Sequence, residues 1–484
     1  MRLIQHILTD IPRWGLLGLL VLAPWVYGST RPEGKFLLTA GLLVVLGLFL
    51  LSLLATLRLP KVKVVTAVLT GLLLLQGWIM VLNPKQEFDP AIFAYAPVAG
   101  AIPWLPGVVD QKSSKSQLLL VTGLIGAFWI AGEMAQSMRW RTRTWWMMSL
   151  TGISLVVLGM AQRLTGAKAI FWDPSADSGP TFFATYRYHG NAGAFLNLLL
   201  PLIAARSVLT FLRGSSHGSM ALWSVATLTT IACAFVNVSK GAMVIAVFIL
   251  LVQAYQQLVQ FPIETRYWTK PRLAVVGTAF LFMLTGLIWA FGCGDSFTRW
   301  AELNSSGTYS ARWLVDEAIV RYALPVSGWW GFGPGTFQIT FPFFTQTLGN
   351  RASGVWQNAH QDYLQTLMEW GYLGGAVWAA FLFGGLGIAI ARHRRQERSW
   401  VAETRLLSSA CILSFCGLLL HALVDFPLQI PSLQLYAAVL LGLLWHLPAA
   451  QARRKRVPGR ALENMQSKQT EPHPAHQQAS YRES

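Results

Sequence analysis

The sequence predicts an all-α protein that crosses a membrane many times. Hydrophobic residues make up 54% of the chain, charged residues only 12%, and the mean hydropathy is +0.45. The apolar residues fall in separate stretches, each close to the roughly 20 residues that a helix needs to cross a bilayer. Lys and Arg cluster in the short loops between these stretches, as membrane orientation requires. Together these three features favour a multi-pass membrane protein over a soluble domain with a large core.

The apolar stretches predict about twelve transmembrane helices. The first stretch lacks a small-residue cleavage site and is soon followed by a second, so we interpret it as a span and not as a removed signal peptide. The spans are expected near residues 12–29, 34–57, 64–82, 116–136, 145–163, 191–212, 219–238, 241–257, 273–293, 361–391, 404–424 and 429–447.

The basic loops predict the orientation of these spans. With the N-terminus in the cytoplasm, most Lys and Arg residues fall inside, including the tail segment Arg453-Arg454-Lys455-Arg456. Both termini are therefore expected in the cytoplasm. Three long connections, 83–115, 164–190 and 294–360, then lie on the outer face, where long loops commonly carry function.

The chain divides into three regions on this pattern. Residues 1–184 hold the first five spans and their outer loops, and residues 185–447 hold the later spans and the long outer loop 294–360. Residues 448–484 are polar and basic, and we expect them to form a disordered cytoplasmic tail.

Charge and cysteine content exclude several functions. The net charge of +17 lies largely in loops next to spans, so we expect membrane lipids and no nucleic acid as partners. The four cysteines have no CxxC spacing, which indicates neither a metal site nor a disulfide framework.

The residue pattern of the long outer loop predicts two distinct segments within it. Residues 310–324 have a helical apolar period and predict an amphipathic helix on the membrane surface or over a cavity. Its expected apolar side consists of Trp313, Leu314, Ala318, Ile319 and Tyr322. The turn-rich segment 328–335 follows and is able to bring backbone close to a ligand.

Several polar side chains are expected at the outer ends of spans. An imidazole near a carboxylate at the rim of an apolar span is more often functional than not, and His360 with Asp362 has this position. Cations beside a histidine above an apolar bundle also suit a lipid-linked phosphate or pyrophosphate. The other polar residues at this level are Arg187, His189, Asn191, Lys240, Arg312 and Asp425.

Each of these residues also has a purely structural interpretation. Lys240 is able to extend its amine to the interface, and Arg312 is able to pair with Asp316 one turn away. Arg187 and His189 fit ordinary loop positions. For Asp425 the sequence favours the structural interpretation, in which it ends a helix before Pro427.

The ordered motifs resemble those of the O-antigen ligase and O-antigen polymerase superfamily of bacterial membrane glycosyltransferases. The histidine signature is His360-Gln361, then nine residues, then Gly371-Tyr-Leu-Gly374. The agreeing segments, in the same order, are Gly190-Asn-Ala-Gly-Ala-Phe-Leu-Asn-Leu198, Ser239-Lys-Gly-Ala242, Gly331-Phe-Gly-Pro-Gly-Thr-Phe337 and His421-Ala-Leu-Val-Asp-Phe-Pro-Leu428. The resemblance covers about residues 185–445.

This resemblance implies a GT-C-like helical fold and an activity at the outer face of the inner membrane. A glycan would move from undecaprenyl pyrophosphate to lipid A core or to another lipid-linked glycan. The resemblance places the family's histidine at His360 and a pyrophosphate-binding arginine at Arg312. The family's other arginine at the membrane rim falls on Lys240, which keeps the charge but not the bidentate grip.

Combining the residues with the resemblance gives a mechanistic hypothesis. Arg312 and Lys240, aided by Arg187, would bind the donor pyrophosphate, with Asn191 as a further substrate-binding residue. His360, oriented by Asp362 or Asn358, would deprotonate the acceptor hydroxyl. We expect no cofactor and no metal, because the outer face has no acidic pair with ligand spacing.

Four other functions remain open at this point. A polysaccharide polymerase and a protein O-oligosaccharyltransferase differ from a ligase only in the acceptor. A secondary transporter also fits twelve spans, and Glu133 is the main residue that could support it, although an interfacial carboxylate near Arg139 is the simpler interpretation. A scaffold subunit of an export complex would need neither His360 nor Arg312.

Overall fold

A computed structural model describes residues 2–260 except 93, 177 and 180, together with residues 308–345, 355–396 and 400–447. Isolated positions between 278 and 289 are also described. The predicted span 273–293 therefore falls mostly, and the predicted tail 448–484 entirely, outside the described residues. The same applies to parts of the outer loop, 294–307 and 346–354.

Fifteen α-helices are present in the described part of the chain. They are α1 Arg2–Trp25, α2 Pro32–Ala55, α3 Val64–Leu82, α4 Gln111–Ala135, α5 Met138–Leu164, α6 His189–Leu212, α7 His217–Val236, α8 Lys240–Gln260, α9 Thr308–Ala318, α10 Leu324–Ser327, α11 Phe337–Thr340, α12 Pro342–Thr345, α13 Asp362–Gln396, α14 Ala402–His421 and α15 Pro431–His446. A π-helical segment, Ile319–Ala323, joins α9 to α10, and short 3₁₀ turns lie at Tyr27–Ser29, Ile170–Trp172 and Pro427–Gln429.

The predicted membrane class is confirmed in its general form. Helices account for 76% of the described residues. Eight of them, α2 to α7, α13 and α14, are long and apolar enough to cross a membrane. The predicted spans 12–29, 241–257 and 429–447 correspond to α1, α8 and α15, which are not among those eight. Helix α15, for example, has only 16 residues.

Helices α4, α6 and α14 form the centre of the bundle. About four fifths of the most apolar window of each is buried, against about one third for α2 and α3. Helix α6 is apolar on nearly all sides, and such a helix is stable only when other helices surround it. Helix α15 packs along α4 and completes this centre.

A small hairpin is the one departure from the predicted all-α class in the described chain. Strands β1 Gln86–Asp89 and β2 Ala94–Pro97 pair antiparallel in the first long connection. Phe88 and Tyr95 face each other across the pair, with ring centroids 5.6 Å apart. Four-residue strands give too short an alternation to be recognised beside long apolar spans.

Helix α13 is broken at Gly371, inside the histidine signature. Gly371 has φ of 67° and ψ of −175°, so the helix stops after Trp370 and restarts at Tyr372. The break releases backbone groups that must find other partners. The turn-rich segment 328–335 supplies them: Gly333 N donates to Glu369 O at 2.9 Å, and Tyr372 N donates to Gly328 O at 3.1 Å.

This contact corrects the expected role of the turn-rich segment. A Cβ on Gly331 would lie 2.3 Å from the carbonyl oxygen of Glu369, so the glycine permits close approach to α13. The buried carboxylate of Glu369 also accepts from Gly335 N at 2.9 Å and Phe337 N at 3.3 Å. The segment therefore binds the outer loop to the first part of α13, whereas the sequence suggested contact with a ligand.

The amphipathic helix in the outer loop is confirmed, but its buried side differs from the predicted one. Trp313 and Tyr322 are exposed, by 72% and 44%. The buried residues are Val315, Ala318, Ile319 and Ala323, which pack in a second core with Phe337, Phe341, Ala359 and Met368. Ala318 and Ile319 are thus buried as predicted, and the π-helical segment Ile319–Ala323 changes the helical period around Tyr322.

The two ends of the bundle differ in their charged groups. At one end, Glu133 is buried and pairs with Arg13 at 3.3 Å and Arg58 at 3.1 Å. This agrees with an interfacial carboxylate, although its partners are not the predicted Arg139. Arg213 pairs with Glu403 at the same end. The opposite end carries His360, Arg312 and Asp425.

Candidate functional site at one end of the bundle

A histidine and a buried aspartate meet where α13 begins and α14 ends. His360 Nδ1 lies 3.1 Å from Asp425 Oδ1. The side chain of His360 is 21% exposed, whereas that of Asp425 is only 7% exposed. A second histidine, His421, is fully enclosed and its Nε2 lies 3.9 Å from the other oxygen of Asp425. The imidazole of His360 is thus accessible on one side and held by a carboxylate on the other.

Asp362 holds the two segments of this site together. Its backbone N–H donates to Ala422 O at 2.9 Å. Its carboxylate, which is fully buried, accepts from Leu428 N at 2.8 Å and Gln429 Nε2 at 3.0 Å. These bonds fix the turn that contains Asp425 against the start of α13.

The orienting residue of His360 is therefore Asp425, and the expectation of Asp362 or Asn358 is corrected. Asn358 Oδ1 accepts from Gln365 Nε2 at 3.4 Å. The reason is the backbone: His360 has φ of 58°, so the chain turns sharply before the helix begins at Asp362. Spacing along a regular helix does not predict the direction of a side chain at such a turn. Asp425 follows the end of α14, as the structural interpretation of the sequence expected. It also contacts His360, which that interpretation did not include.

The carboxyl of Asp425 is ionised at neutral pH. Burial alone would raise its pKa, but the hydrogen bond from His360 and the charges of His421, His360 and Arg312 hold the pKa below its ordinary value. An ionised carboxylate only accepts hydrogen bonds, so Nδ1 of His360 is the donor. The other ring nitrogen, Nε2, is then the basic one.

Arg312 reaches the same corner from α9. Its Nη1 donates to Val424 O at 3.3 Å and its Nη2 to the hydroxyl of Tyr188 at 3.1 Å. The Tyr188 hydroxyl also hydrogen-bonds Asp425, and burial raises the pKa of this tyrosine well above its ordinary value. Arg312, Tyr188, Asp425 and His360 are therefore joined in one network.

Asp316, one turn from Arg312, has an unusual environment. Burial raises the pKa of its carboxyl to about 6, although the charge of Arg312 lowers it. Arg312 interacts electrostatically with this residue, as the structural interpretation of the sequence supposed, and also reaches Val424 and Tyr188.

Aromatic rings surround His360. Phe426, Trp356 and Tyr188 place their ring centroids 4.7, 5.7 and 6.1 Å from the imidazole, all close to edge-on. Tyr188 stacks on Phe426 at 5.5 Å with an angle of 8° between the rings. These rings shield the histidine and its carboxylate from water, which strengthens the electrostatic interactions between them.

The other predicted residues lie at different distances from this centre. Lys240 begins α8, and its neighbour Gly241 faces Val424, the residue whose carbonyl Arg312 binds. Asn191 is buried in the first turn of α6, and its side-chain oxygen has no hydrogen-bond partner among the described residues. Arg187 is exposed and directly precedes Tyr188. The structure thus brings His360, Arg312 and the start of α8 together and leaves Arg187 on the surface.

Two residues of this site were not singled out from the sequence. Tyr188 gave no signal beyond its place between Arg187 and His189. Gly190 had one, since it begins the motif quoted from α6: a Cβ there would lie 2.2 Å from Asp425 Oδ2. Only glycine allows the carboxylate to approach this helix so closely.

An apolar cavity of about 260 Å³ lies beside the site, between α4, α13 and α15. Its walls include Leu124, Phe128, Leu367, Trp378 and Leu441. Tyr363, Leu428 and Gln429 also line it, and these residues adjoin Asp362. The cavity therefore extends into the apolar bundle from next to Asp362, and its lining does not include His360, Asp425 or Arg312.

Within the residues that the structure describes, no group of three or more His, Cys, Asp and Glu side chains is placed to hold a metal ion.

Comparison with known proteins gives no match. No model of a protein family matches this chain, and no characterised protein matches it at a significant level.

Proposed function

We propose that this protein is a membrane glycosyltransferase that moves a glycan from undecaprenyl pyrophosphate to an acceptor hydroxyl, in the manner of the O-antigen ligase and polymerase superfamily. The observation that carries the proposal is the partly exposed imidazole of His360, paired with the buried carboxylate of Asp425 next to the guanidinium of Arg312. A base and a cation side by side are the two groups that such a transfer needs.

The reaction follows from these positions. His360 Nε2 takes the proton of the acceptor hydroxyl as its oxygen attacks the anomeric carbon of the donor sugar. The bond from that carbon to the pyrophosphate oxygen breaks, and its electron pair leaves with the pyrophosphate. Asp425 stabilises the imidazolium that forms, because it already accepts the Nδ1 proton.

Arg312 stabilises the charge that develops on the leaving pyrophosphate. Its planar guanidinium is able to bind two phosphate oxygens at once, and its anchorage to Tyr188 and Val424 fixes its position. Lys240 adds a second charge from the start of α8, as a point charge without the bidentate geometry. The adjoining apolar cavity supports a lipid-linked donor, because it offers an apolar chain a place next to the polar site.

The proposal includes the finer features implied by the resemblance. These are about twelve spans in a GT-C-like arrangement, a site at the periplasmic face of the inner membrane, and both termini in the cytoplasm. The separation of the basic end of the bundle from the end with His360 supports this orientation.

The acceptor is lipid A core or another glycan, and the same site would serve a polymerase or a protein O-oligosaccharyltransferase. Transport and scaffolding are less well supported, since neither calls for an imidazole held by a buried carboxylate beside an arginine. Glu133, the residue that transport would use, is already paired with two arginines.

The test is glycan transfer from undecaprenyl pyrophosphate by purified protein in lipid, with wild type, His360→Ala and Arg312→Ala at matched folding. We expect transfer by the wild type and a loss of about 100-fold or more in each variant. Undiminished transfer in both variants would place the site elsewhere. No transfer by the wild type with any of the acceptors would favour transport or scaffolding.

A further inference from the structure

A second cluster of charged and aromatic residues lies at the end of the bundle opposite His360. Arg206 of α6 is only 4% exposed. Its guanidinium carbon lies 3.8 Å from the ring centroid of Trp146, 5.0 Å from that of Trp145 and 5.2 Å from that of Trp223. Such contacts stabilise a cation, but they do not supply acceptors for its N–H groups.

The hydrogen-bonding groups of Arg206 are incompletely satisfied. Its Nε and Nη1 are buried and have no hydrogen-bond partner among the described residues. A buried guanidinium whose N–H groups have no acceptors strongly destabilises the folded protein. A bound anion would supply the missing acceptors.

The surrounding charges do not neutralise the cluster. Glu403 is the carboxylate that acts on Arg206 and on Arg141, and it forms an ion pair with Arg213. It also accepts from the hydroxyl of Thr142 at 2.6 Å. Arg141, Arg206 and Arg213 therefore share the carboxylate of Glu403, which leaves an excess of positive charge in this cluster.

The cluster lies about two turns inside the ends of three helices. Arg206 is six residues from the end of α6, Trp223 six from the start of α7 and Trp146 eight from the start of α5. At 1.5 Å per residue these positions are about 9 to 12 Å inside the helix ends, and we infer that this puts them near the boundary between headgroups and acyl chains. The side chain of Arg213, nearer the end, is 52% exposed.

One side of the cluster is open to lipid. Trp146 is 36% exposed, beside the deeply buried Trp145 and Trp223. A bound molecule would thus have an anionic group near the arginines and an apolar part along the ring of Trp146. A basic pocket between membrane helices on the basic side of a protein fits a phospholipid headgroup by both criteria.

From this geometry we infer that Arg206 and Arg213, with the tryptophan wall of Trp145, Trp146 and Trp223, bind the phosphate of an anionic phospholipid in the leaflet opposite the candidate active site. Arg206 donates to the phosphate from within the wall, Arg213 donates from the headgroup layer, and the acyl chains lie against Trp146. This site is separate from the proposed transfer reaction and does not depend on it.

The test is lipid retention by the purified full-length protein in native mass spectrometry. Phosphatidylglycerol, phosphatidylcholine and inorganic phosphate are the probes, and the variants are Arg206→Gln, Arg206→Lys and Arg213→Gln. Arg139→Gln is the control, because Arg139 is an exposed arginine at the same end. We expect retention of phosphatidylglycerol but not of phosphatidylcholine, and about tenfold weaker retention in Arg206→Gln.

Arg206→Lys keeps the charge without the fork and should be intermediate, and Arg139→Gln should match the wild type. Arg213→Gln, at a half-exposed position, keeps the test valid if Arg206→Gln does not fold, and it should weaken retention several-fold. The inference would be overturned if the wild type retained both lipids equally. It would also be overturned if Arg213→Gln and the folded Arg206 variants retained phosphatidylglycerol as well as the wild type does. Competition by inorganic phosphate at the concentration of the lipid would assign the site to free phosphate and likewise overturn it.

Discussion

Asp425 has a role in the structure that its position in the sequence does not reveal. Along the chain it is an acidic residue that ends a helix before a proline, and many such residues have no further role. In three dimensions it lies against His421 one turn earlier and against His360 and Tyr188 from two distant parts of the chain. No periodic pattern links Asp425 to His360 or Tyr188, so only the folded structure identifies the partner of His360.

Gly190 gives a direct test of how closely Asp425 must approach α6. In Gly190→Ala the new Cβ would lie 2.2 Å from Asp425 Oδ2, and the carboxylate would have to move away. Asp425 is fixed by several contacts, so we expect glycan transfer to fall at least about tenfold because the orientation of His360 is lost. Steady-state transfer rates at matched unfolding temperature measure this.

Gly218→Ala is the matched control for this substitution. Gly218 is also the second residue of a helix, but a Cβ there would meet no atom within 4 Å. Its transfer rate should equal that of the wild type. If Gly190→Ala also transferred at the wild-type rate, the close approach of Asp425 to α6 would have no role in activity.

Asp316 predicts a pH dependence of donor binding. Because burial raises its pKa to about 6, the carboxyl is neutral below that pH and ionised above it. An anion beside Arg312 opposes the charge of a pyrophosphate, so donor affinity should fall as pH rises from about 5 to about 7, by roughly threefold to tenfold. In Asp316→Asn this dependence should disappear and the high affinity should persist at neutral pH.

Donor binding is best measured in a His360→Ala background, where turnover does not contribute. The raised pKa has a matching effect on stability. Burial disfavours the ionised form, so stability is lost as pH rises through about 6, and Asp316→Asn should raise the unfolding temperature more at neutral pH than at acidic pH. A pH dependence that survives in the asparagine variant would assign it to another group.

At the scale of elements, the break in α13 explains the spacing of the histidine signature. The residues between His360 and Gly371 form a short helix. In this helix Asp362 binds the segment that follows α14, and Glu369 binds the outer loop. Gly371 then turns the chain, and the released backbone groups bind the segment 328–335. The signature therefore encodes a helix, a break and a span in one motif.

Substitution of Gly371 should destabilise the protein strongly. Alanine at this position would adopt φ of 67° at a steric cost, and its Cβ would lie 2.4 Å from the carbonyl carbon of Trp329. We expect a loss of about 3 kcal/mol or more in the free energy of unfolding. The measurement is the thermal unfolding midpoint in detergent.

Gly387→Ala provides the comparison within the same helix. A Cβ at Gly387 would meet no atom within 4 Å, and alanine favours a helix by about 0.5 to 1 kcal/mol over glycine. This variant should be as stable as the wild type or slightly more stable. Equal stability of the two variants would show that the break at Gly371 is not required.

How far the sequence predicts each element depends on its length and regularity. The span predicted at 64–82 coincides with α3, because a long apolar run between basic loops has one physical solution. The buried side of the outer-loop helix was predicted only in part: Ala318 and Ile319 are buried, whereas Trp313 and Tyr322 are exposed. The π-helical segment that follows α9 changes the period at Tyr322. The hairpin β1–β2 was missed, because its strands are too short to show a pattern.

The same distinction applies to the candidate site. His360 belongs to the histidine signature, and Arg312 was singled out by its place in the outer loop and by the resemblance to a family. Tyr188 and Asp425 meet His360 because α6 begins and α14 ends beside the start of α13, and that arrangement follows from packing. Lys240 was placed near the site by motif, and the contact of Gly241 with Val424 agrees with that placement.

At the scale of the whole molecule, the chain separates two kinds of polar group with an apolar bundle. One end carries the arginine pairs and the tryptophan wall around Arg206, and the other carries His360, Asp425 and Arg312. The apolar cavity between α4, α13 and α15 joins the second end to the interior. This arrangement suits a reaction in which the reacting groups stay at the surface while a lipid chain stays in the membrane.

The most direct measurement is a double-mutant cycle on glycan transfer, with His360→Ala, Asp425→Asn and the double variant in proteoliposomes supplied with an undecaprenyl-pyrophosphate-linked glycan. If the two residues act as one base, Asp425→Asn loses about 100-fold or more, and the double variant is no slower than His360→Ala alone. Wild-type rates in Asp425→Asn, or losses that multiply in the double variant, would contradict the account.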